Sequence, residues 1–198
     1  MILDDDNIVE ISSSGVVVQT VSVAGLMFRD GGISIDFISG NVLLAGGDIP
    51  KVYEMAWKLP TFGEILWEHG ELTTGSATGF LNKPRYATYG TGLDSILICD
   101  QGNNRIVAID RSTIPETEVA ISSVVAGDSV LSMYRPIRCS QVGAEILVCE
   151  ENGEQEFFSS NADSHPAMAR SGMSTATGKD ALSQYSGFKF VPILRGVK

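Results

Sequence analysis

A chain of 198 residues, 43% of them hydrophobic, has apolar material for one domain over residues 1–198 and is expected to bury about 70% of its unfolded surface. The net charge of −10 and pI of 4.6 disfavour nucleic acid as a partner, because phosphate backbones are held mainly by cationic contacts. No run of about 18 apolar residues occurs, and the acidic start MILDDDN is unlike a basic-then-apolar leader, so the expected location is the cytoplasm or a virion, with no membrane contact.

Met1–Ser12 (MILDDDNIVEIS) reads as a hairpin whose turn carries Asp4, Asp5 and Asp6. Carboxylates there could hold a hard cation through oxygen, but the alternate ligands, glycine and distal glutamate of a calcium loop are missing. A solvated acidic turn is the preferred reading. Val16–Val23 (VVVQTVSV) alternates and follows as an outer strand. After the turn GLMFRDGG, Ile33–Ile38 predicts an inner strand, Val42–Ala56 a hairpin and Glu64–Glu68 an outer strand. Gly70–Gly79 reads as a flexible glycine-rich loop; no lysine or helix follows to make it a phosphate cradle.

The pattern then recurs. GFLNKP leads to the inner strand Arg85–Tyr89, the hairpin Ile96–Asp110 and the outer strand Val119–Val125. LSMYRP leads to Ile137–Val142 and the hairpin Ile146–Ser160, with a weak outer strand near Ala167–Met173. Pro84 and Pro136 pre-set φ where inner strands begin. Ser159–Gly178, rich in Ser, Ala and Thr, reads as a loop or an interface arm, and Asp180–Tyr185 is the one loose helical candidate. LSQYSG then introduces a last inner strand, Phe188–Leu194.

Ile8, Val52, Ile106 and Glu156 open the second strand of each hairpin, at spacings of 44, 54 and 50 residues. Passing from Glu156 through Lys198 and back to Ile8 covers a further 50. A period near 50 built from short strands points to blades. The expected fold is all-β: a small propeller of four blades, closed by pairing of the N- and C-terminal strands, which would remove free edges. The alternative is a half-propeller completed by a second chain.

Leu81–Asp110 (LNKPRYATYGTGLDSILICDQGNNRIVAID) resembles an NHL repeat, matching at Asp100, Gly102, Asn103, Asn104, Arg105 and Ile106. The other copies depart from it: Asp100 becomes Gly46 and Glu150, and Asn103–Arg105 becomes Ile49–Lys51 and Gly153–Gln155. The resemblance implies a propeller that binds protein or RNA, with a few metal-dependent enzymes among its relatives. It also implies that Asp100, Asn103, Asn104 and Arg105 are structural, with aspartate and arginine binding the turn backbone and packing neighbouring blades.

Catalytic constellations are sparse. His69 and His165 stand in unrelated repeat positions, read as loop residues without partners, and the chain contains no GxSxG, HExxH, CxxC or P-loop motif. Cys99 and Cys149 close equivalent strands and read as small buried hydrophobes; three cysteines argue against a disulfide framework. No catalytic residue, bound transition metal or cofactor is expected. A metal-dependent lyase or lactonase would need ligands on several inner strands, where only Asp36, Ser140 and Gln141 are candidates. A sugar-binding propeller would use repeated aromatic sites, whereas Trp57 and Trp67 are not equivalent. The expected function is therefore a rigid, non-catalytic module for protein interaction or assembly, such as a virion or phage-tail subunit. The oligomeric state is open. Phe157 and Phe158 point to opposite faces of one strand, and one of them is a candidate apolar anchor for a neighbouring subunit.

Overall fold

The computed structural model describes residues 2–4, 7–26, 31–36, 38–58, 60–91, 94–126, 129–142, 145–151 and 188–192. The described residues form sixteen strands and two 3-10 turns, and contain no α-helix. β1 (Ile2–Asp4), β2 (Asn7–Ile11) and β3 (Val17–Ser22) make a three-stranded antiparallel sheet. β4 (Gly32–Ile35), β5 (Val42–Ala45), β6 (Val52–Met55) and β7 (Ile65–His69) make a four-stranded meander. So do β8 (Pro84–Tyr89), β9 (Ser95–Asp100), β10 (Arg105–Asp110) and β11 (Thr117–Ile121). A separate hairpin joins β12 (Ser123–Ala126) to β13 (Ser129–Ser132), and the last sheet orders β14 (Pro136–Val142), β15 (Glu145–Glu150) and β16 (Phe188–Pro192).

Three of the four repeat anchors take matching places in their ladders. Ile8 pairs with Leu3, Val52 with Ala45 and Ile106 with Cys99, each beside the hairpin turn. The expected inner strands Arg85–Tyr89 and Ile137–Val142 appear as β8 and β14, while Ile33–Ile38 is met only in part, because β4 ends at Ile35 and Ile38 is 90% exposed in a turn; β8 packs between β4 and β14.

The continuous apolar runs VLLA and ILIC follow from this stacking. Successive side chains of a strand point to opposite faces, so a sheet packed on both sides needs apolar residues at every position. Val42 and Leu44 of β5 join Ile8, Val23, Met55 and Trp57 in the cluster facing the N-terminal sheet. Leu43 and Ala45 of the same strand face the other way, onto Leu81, Ala87, Ile96 and Ile98. β9 repeats the arrangement: Ile96 and Ile98 face β4–β7, while Leu97 and Cys99 pack with Cys139, Ile146 and Val148.

Two expectations need correction. Val119–Val125 is not one outer strand: Ser122 O accepts the Met133 N–H at 2.8 Å, which divides the segment into β11 and β12. The terminal strand also pairs elsewhere than expected. β16 lies on the free edge of β15, in register from Cys149 with Phe188 to Glu145 with Pro192, whereas β1 is bonded to β2. β15, carrying buried Ile146 and Val148, lies mid-sheet, and such a strand must pair backbone groups along both edges; β16 supplies the second ladder. No ladder joins the termini among the described residues. The second strand expected at Glu156, the weak strand near Ala167–Met173 and the helical candidate Asp180–Tyr185 lie outside the described residues.

All three cysteines are free thiols; Cys99 and Cys139 are buried and Cys149 is half-buried. Burial, followed by the neighbouring Cys139 side chain, pushes the Cys99 thiol well above its ordinary range. Since the thiolate is the reactive form, a disulfide-exchange reagent is expected to label Cys149 first and Cys99 only at the rate of unfolding. Peptide mapping of the labelled protein checks the order, and rapid labelling of native Cys99 would contradict the packing of β9 against β14.

Candidate functional site

The best-matched hairpin turn is a tightly bonded cluster. Asp100 ends β9 fully buried. Its Oδ1 accepts the Asn82 N–H at 2.6 Å, and its Oδ2 accepts Arg105 Nε at 2.7 Å and Asn103 Nδ2 at 2.8 Å. Burial raises the Asp100 carboxyl, and these three donors work against the rise. Arg105 passes the connection outward, donating Nη1 to Ser76 O at 2.7 Å and Nη2 to Phe80 O at 2.8 Å. Asn103 Nδ2 also donates to Gly75 O at 2.6 Å. Asn104 adopts a left-handed φ of 54°, and its Oδ1 accepts the Arg135 N–H, linking this turn to the start of β14. The cluster thus holds the loop around residues 75–82. Gly70–Gly79 was expected to be flexible; side-chain bonds to Gly75 O, Ser76 O and the Gly79 N–H pin its second half instead.

The equivalent positions keep part of this plan. Glu150 stands in place of Asp100, and its Oε1 accepts the Tyr134 N–H at 2.8 Å, just as Asp100 accepts Asn82. At β5 the place falls to Gly46, where an added Cβ would lie 2.3 Å from Ile49 O. Asp4 ends β1 opposite Asn7, while Asp5 and Asp6 lie outside the described residues, as do Phe157, Phe158 and His165.

A second constellation, missed from the sequence, runs between sheets. Glu10 and Glu54 are each the third residue counted from the anchors Ile8 and Val52, and both reach into the next sheet. Glu10 Oε2 accepts Trp57 Nε1 at 2.9 Å, and Glu54 Oε2 pairs with Arg111 Nη1. Trp57 and Arg111 are themselves repeat-equivalent, five residues beyond Val52 and Ile106. Glu54 Oε1 also accepts Asn41 Nδ2 at 3.0 Å and Tyr89 Oη at 3.2 Å. The available signal was the carboxylate itself: Glu54 interrupts VYEM, where every neighbour is buried, and a buried charge requires a partner.

The seam continues through Trp67, which lies under the Arg111 guanidinium at 5.2 Å and donates Nε1 to Glu116 at 2.8 Å. His69 stacks on Trp67 with ring centroids 5.8 Å apart. This corrects the reading of His69 as a loop residue without partners: it ends β7, and its Nε2 lies 3.4 Å from Glu118 Oε2 without a hydrogen bond. Burial lowers the His69 pKa below 6.5, and the Glu118 charge pulls it back. The folded chain therefore keeps His69 neutral at a pH where the unfolded histidine is protonated. The resulting stability is present above about pH 6.5 and is lost as pH falls below it. Urea unfolding of the wild type is expected to weaken below that pH, and His69→Gln to flatten the dependence; parallel curves would contradict this.

The remaining candidates are placed singly. Asp36 accepts the Ile38 and Ser39 N–H groups of its own turn, Gln141 Oε1 accepts the Thr91 N–H, and Ser140 is exposed. Among the described residues no group of three His, Cys, Asp or Glu side chains is placed to hold a metal ion. Trp57 packs against Phe62 at 5.0 Å, so both tryptophans have partners within the chain.

Two surface features remain. The outer strands expose apolar residues: Val17 is 56% exposed on β3, Ile65 43% on β7 and Val119 53% on β11. On β3, Val18 is exposed as well as Val17, where the strand bulges against β2. The second feature is a cavity of about 170 Å³ where the turns after β5, β9 and β15 meet the starts of β8 and β14.

No family model matches the chain, and neither does any curated protein. Among solved structures, a functionally unknown protein from Desulfotomaculum acetoxidans DSM 771 is similar at 15% identity with a TM-score of 0.45, covering 73% of this chain and 42% of its own. Kluyveromyces lactis Hsv2 is similar at 11% identity with a TM-score of 0.35, covering 75% of this chain and 57% of its own. The chain thus spans less than two thirds of either structure.

Proposed function

We propose that this chain is a β-propeller-type repeat domain acting as a rigid, non-catalytic module for protein interaction, suited to a subunit of a larger assembly such as a virion or phage tail. The stacking of successive sheets through β4, β8 and β14 supports the propeller reading, as does the NHL-like stretch Leu81–Asp110. The polar side chains with unusual environments support a structural role for the interior: Asp100, Arg105, Glu54 and Arg111 are consumed in bonds between turns and sheets.

The exposed apolar outer edge carries the interaction reading. An edge strand presents unpaired backbone groups that another chain can join, and proteins usually guard such edges with charge or proline. Here Val17 and Val18 open β3 without either, and the strand bulges there against β2. A partner chain that packs on β3 would bury both valines and pair the free amides. Hydrogen exchange measured across a range of protein concentrations, alone and with a candidate neighbouring subunit, is expected to show β3 amides gaining protection as complexes form. Rapid exchange of β3 under every condition, while β9 stays protected, would count against this reading.

A further inference from the structure

The cavity beside the turns gathers cations in an acidic chain. Across the sequence 24 acidic residues outnumber 14 basic ones, yet Lys83, Arg85 and Arg135 line this one space, against the carboxylates of Asp48 and Glu151. Two of the three cations are repeat-equivalent. Lys83 precedes Pro84 and Arg135 precedes Pro136, and both hold left-handed backbone, with φ of 51° and 42°. A side chain before proline normally favours extended backbone, so the same uncommon conformation delivers a cation to the cavity from each of two neighbouring sheets.

Two of the donors already converge on one oxyanion. Glu151 Oε2 accepts Arg135 Nη2 at 2.8 Å and Gln101 Nε2 at 3.2 Å. Glu151 and Arg135 side chains are 38% and 42% exposed, so this carboxylate sits at the rim and can swing out into water. Lys83 is exposed and makes no ion pair among the described residues. A cavity of about 170 Å³ is comparable to an engineered one of about 150 Å³ that admits benzene, which leaves room for a tetrahedral oxyanion.

We propose that this cavity binds the phosphate group of a small anionic ligand, with Lys83, Arg85 and Arg135 supplying charge, Gln101 a neutral donor, and Glu151 the internal anion that the ligand displaces. Phosphate is favoured over a monocarboxylate because the cations approach from two sheets and outnumber what a single pair of oxygens can engage. The net negative surface repels an extended polyanion such as nucleic acid, so the ligand is an isolated phosphate group on a small molecule.

The test is titration of the full chain with inorganic phosphate at constant ionic strength, followed by calorimetry and thermal shift, with acetate and chloride as parallel arms. Saturable phosphate binding is expected, with no response to acetate or chloride. Each of Lys83→Gly and Arg135→Gly is expected to weaken binding about tenfold, while glycine suits the positive φ and preserves the fold. Lys83→Gln serves in place of Lys83→Gly if that variant unfolds. Glu151→Gln is expected to tighten binding by removing the internal competitor. Equal responses to phosphate, acetate and chloride, or phosphate binding unchanged in the folded Lys83 and Arg135 variants, would overturn the proposal.

Discussion

Replacing Asp100 with alanine is expected to destabilise the chain by about 3–5 kcal/mol, because it leaves the Arg105 guanidinium buried without its counter-charge. The loss takes a large part of the roughly 5–15 kcal/mol that keeps a domain folded. Asp100 receives three donors, and Arg105 next to it is 92% removed from solvent by its side-chain exposure of 8%. Removing both charges together is expected to cost less than the two single losses summed, since no unpaired ion remains. Urea unfolding of Asp100→Ala, Arg105→Met and the double variant measures this. Additive losses would show that the pair is not coupled, and a loss below about 1 kcal/mol would place it among weak surface pairs.

The second large effect concerns packing. Leu81 is fully buried between β4–β7 and β8–β11, in contact with the cluster that includes Ala45, Val52, Ile96 and Ile98. It sits on the connection that Arg105 holds at Phe80 and Asp100 holds at Asn82. Those bonds restrict collapse around a truncated side chain, so Leu81→Ala is expected to cost about 2–5 kcal/mol, towards the upper end. The same denaturation measurement decides it, and a cost near 1 kcal/mol would mean that the two sheets close over the space.

Much of this architecture was legible from the strands themselves. VLLA and ILIC, unbroken apolar runs too short for helices, belong to strands buried on both faces, and the anchors Ile8, Val52 and Ile106 take equivalent register positions. Pro84 and Pro136 begin inner strands as their fixed φ suggests. What periodicity could not supply was partner choice. Whether Phe188–Pro192 joins the first sheet or the last depends on which edge is open in space, and its pattern of alternation is the same in either place. The break between β11 and β12 turns on one carbonyl, Ser122 O, bonded to Met133. The polar seam was hidden for a related reason: the partner of Glu54 is Arg111, 57 residues away.

The candidate site was only partly legible. Asp100, Asn103, Asn104 and Arg105 do form one cluster, whose bonds run to residues 75–82 of the preceding loop and to Arg135. Lys83 and Arg135 stand directly before Pro84 and Pro136, but their convergence on one cavity needed the left-handed backbone at both. Exposed Val17, Ile65 and Val119 were read simply as outer-strand residues, because sequence alternation does not reveal which faces a neighbour leaves open.

Sedimentation equilibrium on the wild type and on the Val17→Lys, Ile65→Lys double variant tests the interaction module most directly. A charge on each exposed edge should leave folding intact, since both positions face solvent, while blocking association through those strands. The wild-type chain is expected to sediment as a species heavier than 21.1 kDa, alone or with its neighbouring subunit, and the variant as the protomer. A wild type that stays at the protomer mass under both conditions, or a folded variant that associates as well as the wild type, would contradict it.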